Sequence, residues 1–290
     1  MSAVIMDGKA CADFWIDQLS EHILNMKETE NVVPHLAVIL VGNNAASEIY
    51  VRNKQRACER AGVHSSVIRM PEEASKEDVL VKIRELNEDD SVHGVMVQLP
   101  LPSHISEDVV EAIDRSKDVD GLTTSSAGSY TLKLCNAIDG MIPCTPDGIL
   151  YMLKYHGILV EGKQAVIIGR SNIVGKPMAM QLLHADATVT VCHSKTRNLA
   201  EMTRQADILV VAAGKPALIK ADMVKPGAVV VDVGMNRVNG KLCGDVDFES
   251  VKEVAGYITP VPGGVGKTTV AALVSNTYHA ALQATAKKES

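Results

Sequence analysis

Short aliphatic runs that alternate with segments of helical period constrain the fold of this chain more than any other feature. In the first half, strand-like runs lie at 35–42, 64–70 and 94–102, and helix-like segments at 46–62, 75–89 and 106–114. Alternation of this kind is typical of βαβ units, which build a mostly parallel sheet. The sequence therefore predicts an α/β fold.

The alternation is interrupted by residues 116–146, which are rich in Gly, Ser, Thr and Asp. After them a helix is expected to start around Thr145–Pro146, with Thr as its cap and Pro at the first helical position. A second strand–helix series follows, with strands expected at 163–169, 188–194, 207–214, 228–234 and 256–264.

This pattern predicts two domains. Residues 1–140 would form an N-terminal βα catalytic domain, joined by the closing helix 266–285. Residues 141–265 would form a C-terminal Rossmann-like domain with a doubly wound parallel sheet. The active-site cleft is expected between the two domains.

Composition excludes several classes of partner and site. The 290 residues have a net charge of −6 and 3% aromatics, which argues against a nucleic-acid partner. No apolar stretch reaches membrane-spanning length. The first residues lack the basic and apolar pattern of a targeting segment, so a cytoplasmic protein is expected. The six cysteines form no C-x-x-C pair and no H-E-x-x-H occurs, so no metal site is expected.

A glycine-containing turn, GRSNIVGKP (169–177), follows the first strand of the second series. It has Gly169 and Gly175 but Ser171 at the second glycine of the dinucleotide fingerprint, so an ordinary βα turn remains an alternative. A dinucleotide would place its phosphates against the free amides of the helix that follows.

The next strand ends in CHSKTR (192–197), where an NAD site usually has a carboxylate for the ribose hydroxyls. Hydroxyls and cations at this place suit a 2′-phosphate and favour NADP, with Arg170 and Ser194 as the expected phosphate contacts. The alternative is a solvated basic turn.

A polar face in the first half is the other candidate site. Tyr50 and Lys54 are four residues apart on an expected helix, with Ser47 on the same side. This face could be ordinary surface, but Gln98 lies inside an apolar run near the carboxyl end of a strand, where ligands bind in open α/β sheets. A buried amide without a partner costs roughly 1–3 kcal/mol, and Lys54 is a suitable partner. The acidic loop KDVDG (117–121) is well placed to bind the amide edge of a ligand.

Taken together, these motifs resemble those of the bifunctional methylenetetrahydrofolate dehydrogenase/methenyltetrahydrofolate cyclohydrolase family. The resemblance covers nearly the whole chain in order, and rests on YVRNK (50–54), VQLPLP (97–102), KDVDG (117–121), PCTPDG (143–148), GRSNIVGKP (169–177), CHSKT (192–196), KPGAVVVDVG (225–234) and TPVPGGVG (259–266). It implies NADP-dependent oxidation of 5,10-methylenetetrahydrofolate, then hydrolysis of the methenyl product to 10-formyltetrahydrofolate at the same site. It also implies a homodimer. Its tetrahydrofolate substrates would carry either a single glutamate or a polyglutamate tail.

The resemblance assigns roles to residues of this sequence. Lys54 would be the catalytic lysine, Tyr50 the ring packed against the folate, Gln98 the partner of the lysine, and Asp120 the residue that binds the pterin. The other expected substrate contacts are Val97, Leu99, Pro262, Gly263 and Gly264. The expected cofactor contacts are Gly169, Arg170, Ser171, Ser194 and Met235.

The stretch GVGKTT (264–269) looks like a phosphate-binding loop, but Val261 occupies the position of the first glycine of that motif. A nucleotide switch of the P-loop type and another NADP-linked dehydrogenase remain the alternative functions. The family usually has Pro where this chain has Lys267. One hypothesis is that Lys267 adds a cation that holds the glutamate tail of the folate, and the other is a tolerated surface change.

Overall fold

The computed structural model describes residues 2–132 and 141–288. The chain divides into two compact units, each made from two stretches of sequence. The six-stranded unit comprises Met1–Ala12 and Thr145–Thr269, and the three-stranded unit comprises Asp13–Cys144 and Val270–Ser290. The protein is therefore a two-domain α/β protein, as the sequence predicted.

The strands, in chain order, are β1 (Val4–Ile5), β2 (His35–Val41), β3 (His64–Met70), β4 (Gly94–Val97), β5 (Gln164–Ile168), β6 (Thr188–Cys192), β7 (Ile208–Val211), β8 (Val229–Asp232), β9 (Asn236–Val238), β10 (Lys241–Cys243) and β11 (Tyr257–Ile258). The α-helices are α1 (Gly8–Glu30), α2 (Ala45–Ala61), α3 (Lys76–Glu88), α4 (Thr124–Thr131), α5 (Cys144–Tyr155), α6 (Gly175–His184), α7 (Leu199–Thr203), α8 (Phe248–Val251) and α9 (Val265–Lys288). None of the helices in the described ranges is long and apolar enough to cross a membrane.

The six-stranded unit contains a parallel sheet in the order β1-β11-β8-β7-β5-β6. Its inner strands are continuous apolar runs, as expected for a parallel sheet that is covered on both faces. The chain passes from β5 to β6 on one side of β5, and then crosses back to β7 on its other side. This reversal is the topological switch point of a doubly wound sheet, beside which such folds bind nucleotides.

The three-stranded unit contains a parallel sheet in the order β3-β2-β4, in which all seven residues of β2 pair with β3. Helix α2 is capped at its N-terminus by Asn44, whose side chain accepts hydrogen bonds from the amides of Ala46 and Ser47. Its C-cap is Gly62, which has a φ of 83° in the left-handed region that glycine adopts without strain. These two signals fix the helix that carries Lys54.

Several expected elements differ in the structure. The strand predicted at 94–102 ends at Val97, and the peptide bond between Leu99 and Pro100 is cis. The helix predicted at 106–114 is a 3₁₀ helix, Glu107–Ala112. The last strand, predicted at 256–264, has two residues, because its prolines cannot donate to a neighbouring strand. Helix α5 begins at Cys144, so Pro146 is its third residue and not its first.

The units also differ from the division at residue 140. The first residues belong to the six-stranded unit, because β1 pairs with β11 through Val4 opposite Tyr257 and Ile5 opposite Ile258. The sequence assigned no element to α1, and none to the β9–β10 hairpin. The exact domain boundaries stay a prediction.

Candidate active site

The lysine cluster of the three-stranded unit is built around the side chain of Lys54 on α2. Its Nζ donates a hydrogen bond of 3.0 Å to Oε1 of Gln98 and lies 3.4 Å from Sδ of Met96. Gln98 is 7% exposed, and its Nε2 donates to the carbonyl oxygen of Leu99 at 2.6 Å. The amide is thereby held with its oxygen towards the lysine, as the sequence predicted for this pair.

The ionisation of Lys54 depends on its burial and on one carboxylate. Burial lowers the pKa of Lys54, and the charge of Asp120 acts in the opposite direction. Burial raises the pKa of Asp120, and the charge of Lys54 opposes this rise. Because the ammonium donates its hydrogen bond to a neutral amide, Lys54 can lose a proton more readily than a lysine paired to a carboxylate.

The two aspartates of the acidic loop have different roles. Asp118 is buried, and its carboxylate accepts backbone hydrogen bonds from Gly121, Leu122 and Thr123 at 3.0, 3.2 and 2.9 Å. This carboxylate shapes the loop. Asp120 is the one whose charge acts on Lys54.

Cys144 belongs to this cluster, although sequence reasoning gave it no role. Its side chain hydrogen-bonds to Asp120, which lowers the pKa of that carboxyl against the effect of burial. Its Sγ is also 3.3 Å from the carbonyl oxygen of Val119, and Asn276 of α9 donates to the same oxygen at 2.9 Å. The sequence signal that could have identified this residue is the motif PCTPDG (143–148). The motif supported the family resemblance, but no role was assigned to its cysteine.

Two other residues of α2 lie on the side that the sequence singled out. Tyr50 is 41% exposed, so its ring can offer a face to a flat ligand. Ser47 is 1% exposed, and its hydroxyl has no hydrogen-bond partner within the described residues. By contrast, the side chain of Val97 is part of the core of the three-stranded unit, so any contact with a substrate would use its backbone.

The turn after β5 is as tight as a dinucleotide site requires. Gly169 has a φ of 123°, and a Cβ on it would lie 2.2 Å from the carbonyl oxygen of Ala212. A Cβ on Gly175 would lie 2.4 Å from the carbonyl oxygen of Gly169. Ser171, at the position of the second glycine, stabilises the turn: its Oγ accepts hydrogen bonds from the amides of Val174 and Gly175, at 3.2 and 3.3 Å. Its hydroxyl proton remains to be donated to a ligand.

The residues expected to bind the 2′-phosphate lie at the carboxyl ends of β5 and β6, which are neighbours in the sheet. Arg170 and Ser194 are both exposed. The turn of Ser194 is ordered by His193, whose amide donates to Oγ1 of Thr196 at 2.8 Å and whose Nδ1 accepts from the amide of Lys195 at 3.1 Å. These residues fit a phosphate ester. Met235, the other expected cofactor contact, is half-exposed after β8.

The stretch GVGKTT forms the entry to α9 and not a loop between a strand and a helix. The turn before it contains Pro262 and Gly263, whose φ is 108°. A Cβ on Gly264 would lie 2.5 Å from the carbonyl oxygen of Pro260. The amide of Lys267 donates to the carbonyl oxygen of Gly264, and its side chain is exposed. The strand that a triphosphate-binding loop requires has only two residues here.

The described part of the chain contains no group of three metal-ligating side chains. A doubly wound sheet with a dinucleotide turn, together with a lysine of lowered pKa on a second α/β unit, defines the class of two-domain dinucleotide-linked enzymes.

Comparison with known proteins narrows the class. The family model of the tetrahydrofolate dehydrogenase/cyclohydrolase catalytic domain matches residues 6–120, and that of the NAD(P)-binding domain of the same family matches residues 143–285. The chain belongs to the tetrahydrofolate dehydrogenase/cyclohydrolase family.

Curated relatives and solved structures agree with this assignment. The chain is 52% identical to the bifunctional protein FolD of Halalkalibacterium halodurans, over 97% of this chain and 99% of that protein. It is 55% identical to the protein of the same name from Burkholderia multivorans, over 99% of each.

Among solved structures, the bifunctional FolD enzyme of Campylobacter jejuni matches with a TM-score of 0.93 and 49% identity, over 97% of this chain and 99% of that chain. The methylenetetrahydrofolate dehydrogenase-cyclohydrolase of Trypanosoma brucei, complexed with NADP cofactor and inhibitor, matches with a TM-score of 0.90 and 35% identity, over 100% and 99%.

Proposed function

We propose that this protein oxidises 5,10-methylenetetrahydrofolate with NADP+ and then hydrolyses the 5,10-methenyl product to 10-formyltetrahydrofolate, as an enzyme of one-carbon metabolism. Family membership supports the pair of reactions. The observation that supports the assignment of residues is the hydrogen bond from Lys54 to the neutral amide of Gln98, in surroundings that lower the pKa of the lysine.

The oxidation requires geometry more than acid–base chemistry. The carbon that loses hydride is flanked by two nitrogens, whose lone pairs stabilise the resulting cation, so no strong base is needed. When NADP+ is bound, its nicotinamide ring would be the hydride acceptor. The turn from Gly169 to Gly175 lets the backbone approach the pyrophosphate, and Arg170 and Ser194 hold the 2′-phosphate. Met235 borders the cofactor.

The hydrolysis requires proton transfer. A water oxygen forms a bond to the methenyl carbon, and the water proton passes to neutral Lys54. The bond from that carbon to one ring nitrogen then breaks as the nitrogen takes this proton from Lys54, and the second water proton leaves the hydroxyl to solvent as the formyl C=O forms. A lysine does this efficiently when its pKa approaches the working pH. Gln98 positions its amine, and Asp120 binds the pterin.

The remaining assignments concern the substrate and the setting. Tyr50 packs against the folate, and the backbone of Val97 and Leu99 together with the turn at Pro262, Gly263 and Gly264 completes the substrate contacts. The protein acts as a homodimer in the cytoplasm, on tetrahydrofolates that include polyglutamylated forms. It binds neither nucleic acid nor membranes, in keeping with its net charge of −6.

The first experiment mixes the purified protein with 5,10-methylenetetrahydrofolate and follows reduced cofactor, with NADP+ and NAD+ in parallel. The decay of the methenyl absorbance is then compared with its decay in buffer. We expect turnover with NADP+ and accelerated decay. Absence of turnover with both cofactors would refute the proposal, and ATP binding would then be tested because of the stretch GVGKTT.

The role of Lys54 is tested by Lys54→Met, which removes the amine and keeps most of the side-chain volume. We expect it to abolish the cyclohydrolase activity, because no proton acceptor remains, and to leave NADP binding intact. Lys76→Met is the matched control, since Lys76 pairs with Asp108 on the surface of the same unit. Normal hydrolysis of the methenyl substrate by Lys54→Met would disprove the assignment.

A further inference from the structure

Asp245 is a fully buried carboxylate of the six-stranded unit that the proposed reaction leaves without a role. Four donors surround it. Its Oδ2 accepts hydrogen bonds from the amides of Ala213 and Gly214 at 2.6 and 2.8 Å, and its Oδ1 accepts from the amide of Lys215 and from Nδ2 of Asn236, both at 2.8 Å. A buried charge is tolerated when it is satisfied in this way.

The segment that Asp245 holds lies at the switch point of the sheet. Residues 213–215 follow β7, and β7 pairs with β5. The preceding residue, Ala212, donates its amide to the carbonyl oxygen of Ile168 at 2.7 Å, and its own carbonyl oxygen faces Gly169 of the dinucleotide turn. In doubly wound folds the nucleotide lies beside the carboxyl ends of these two strands. Residues 212–215 therefore form the wall opposite the glycine turn.

A second buried aspartate holds Asp245 in place. The Oδ1 of Asp232 accepts from the amides of Asp245 and Gly234, at 2.9 and 3.0 Å, and its Oδ2 accepts from the amide of Val246 at 2.9 Å. A Cβ on Gly234 would lie 2.3 Å from Oδ1 of Asp245. The two carboxylates thus tie the loop after β8, which leads to Met235, to the loop after β7.

This arrangement determines which part of a dinucleotide the wall can contact. Three consecutive amides already donate to an internal anion, so they cannot also bind an external phosphate. The backbone of the wall is left with carbonyl oxygens to offer, which suit hydrogen-bond donors and positive charge. The carboxamide and the cationic ring of nicotinamide have these properties, whereas the phosphates belong at the glycine turn.

We propose that Asp245 is a positioning residue, which sets the nicotinamide side of the NADP site by fixing the loops after β7 and β8. The inference rests on the proposed function for the identity of the cofactor. It predicts that weakening the four hydrogen bonds impairs the cofactor site selectively and spares the hydrolysis, which consumes no cofactor.

The test is Asp245→Asn, which keeps the shape of the side chain and turns an NH₂ group towards amide donors. We expect the Kd for NADPH, measured by its fluorescence without folate, to rise at least about tenfold, because the NH₂ group cannot accept from the backbone amides and the loop after β7 loses its fixed position. The KM for NADP+ should rise in parallel. Hydrolysis of 5,10-methenyltetrahydrofolate without cofactor should stay within about twofold of wild type.

Asp207→Asn is the matched control. Asp207 also accepts a backbone hydrogen bond, from Gln164 at 2.9 Å, but it lies before β7, at the amino edge of the same sheet. Its substitution should leave NADPH binding unchanged. A milder variant, Asn236→Ala, keeps the buried carboxylate and its three backbone donors, and should weaken NADPH binding severalfold. If Asp245→Asn does not fold, NADPH binding by Asn236→Ala tests the proposal in its place.

Two results would overturn the proposal. NADPH affinity could be unchanged in Asp245→Asn, or unchanged in Asn236→Ala when Asp245→Asn is unfolded. Alternatively, NADPH binding and hydrolysis could fall equally, which would make Asp245 a residue of general stability. Failure of the proposed function is distinguishable, because the wild-type protein would then bind NADPH but fail to oxidise 5,10-methylenetetrahydrofolate.

Discussion

Asp147, in the first turn of α5, should make the folded protein less stable as the pH rises. Burial raises the pKa of its carboxyl from 3.8 to about 7. At 1.36 kcal/mol per unit, this rise sets an upper bound of about 4 kcal/mol. The side chain keeps some access to water and lies at a helix N-terminus, which favours its charge by up to ~1 kcal/mol, so we expect about 1–2 kcal/mol.

The sign follows from proton linkage. The folded carboxyl keeps its proton up to a higher pH than the unfolded one, so its contribution is complete below pH 3.8 and is lost between pH 3.8 and about 7. Asp147→Asn cannot ionise. It should therefore raise the free energy of unfolding by about 1–2 kcal/mol at pH 8, and by less at pH 5.

Urea unfolding at both pH values measures this difference through the midpoint at constant slope. Asp207→Asn provides a control of opposite sign, because hydrogen bonds from Lys225 and from the amide of Gln164 lower the pKa of Asp207. That variant should lose stability at pH 8. If Asp147→Asn gained nothing at pH 8, or gained equally at pH 5 and pH 8, the reasoning from burial would be refuted.

Two further predictions concern the exposed cations. Lys267→Met should weaken binding of polyglutamylated folate and spare the monoglutamate, as measured by the KM for each, if the cation holds the glutamate tail; unchanged affinity for the polyglutamate would refute this role. Arg170→Ala should raise the KM for NADP+ by about tenfold and leave that for NAD+ unchanged, because a charge-assisted contact to the 2′-phosphate is lost. Equal effects on both cofactors would place Arg170 elsewhere on the dinucleotide.

The parts of the fold that the sequence predicted best are those where one physical signal dominates. Strand β2 is a buried apolar run, strand β3 carries Val67 and Ile68 at its centre, and the bounds of both differ from prediction by one residue at most. Helix α1 was missed although its signal is present. Cys11, Trp15, Leu19 and other residues at helical spacing are buried along it.

The β9–β10 hairpin was missed for a different reason. Its turn is Asn239–Gly240, with φ of 49° and 79°, and this dipeptide is a known hairpin signal. The two strands are only three residues long and mostly exposed, so they lack the apolar alternation that marks a strand. The segment 256–264 shows the opposite case. Its apolar residues predict a strand over the whole segment, but its prolines limit the strand to two residues.

In the candidate site, the sequence predicted the pairing of Lys54 with Gln98. An amide inside an apolar strand requires a partner, and the structure supplies Lys54 to Gln98. The contact of Cys144 with Asp120 could not be predicted, because it joins residues that are far apart in the sequence and lie on either side of α4. The carboxylate network of Asp232 and Asp245 depends on three loops meeting, which no local pattern encodes.

The pairing of β1 with β11 has a consequence for synthesis on the ribosome. Val4 lies opposite Tyr257, so this edge strand has no neighbour in its sheet until β11 has been synthesised. At ~5–20 residues per second, that interval is on the order of ten seconds or more. During it the residues before α1 are a free segment, and the last strand to emerge, β11, is the one that joins them to the sheet.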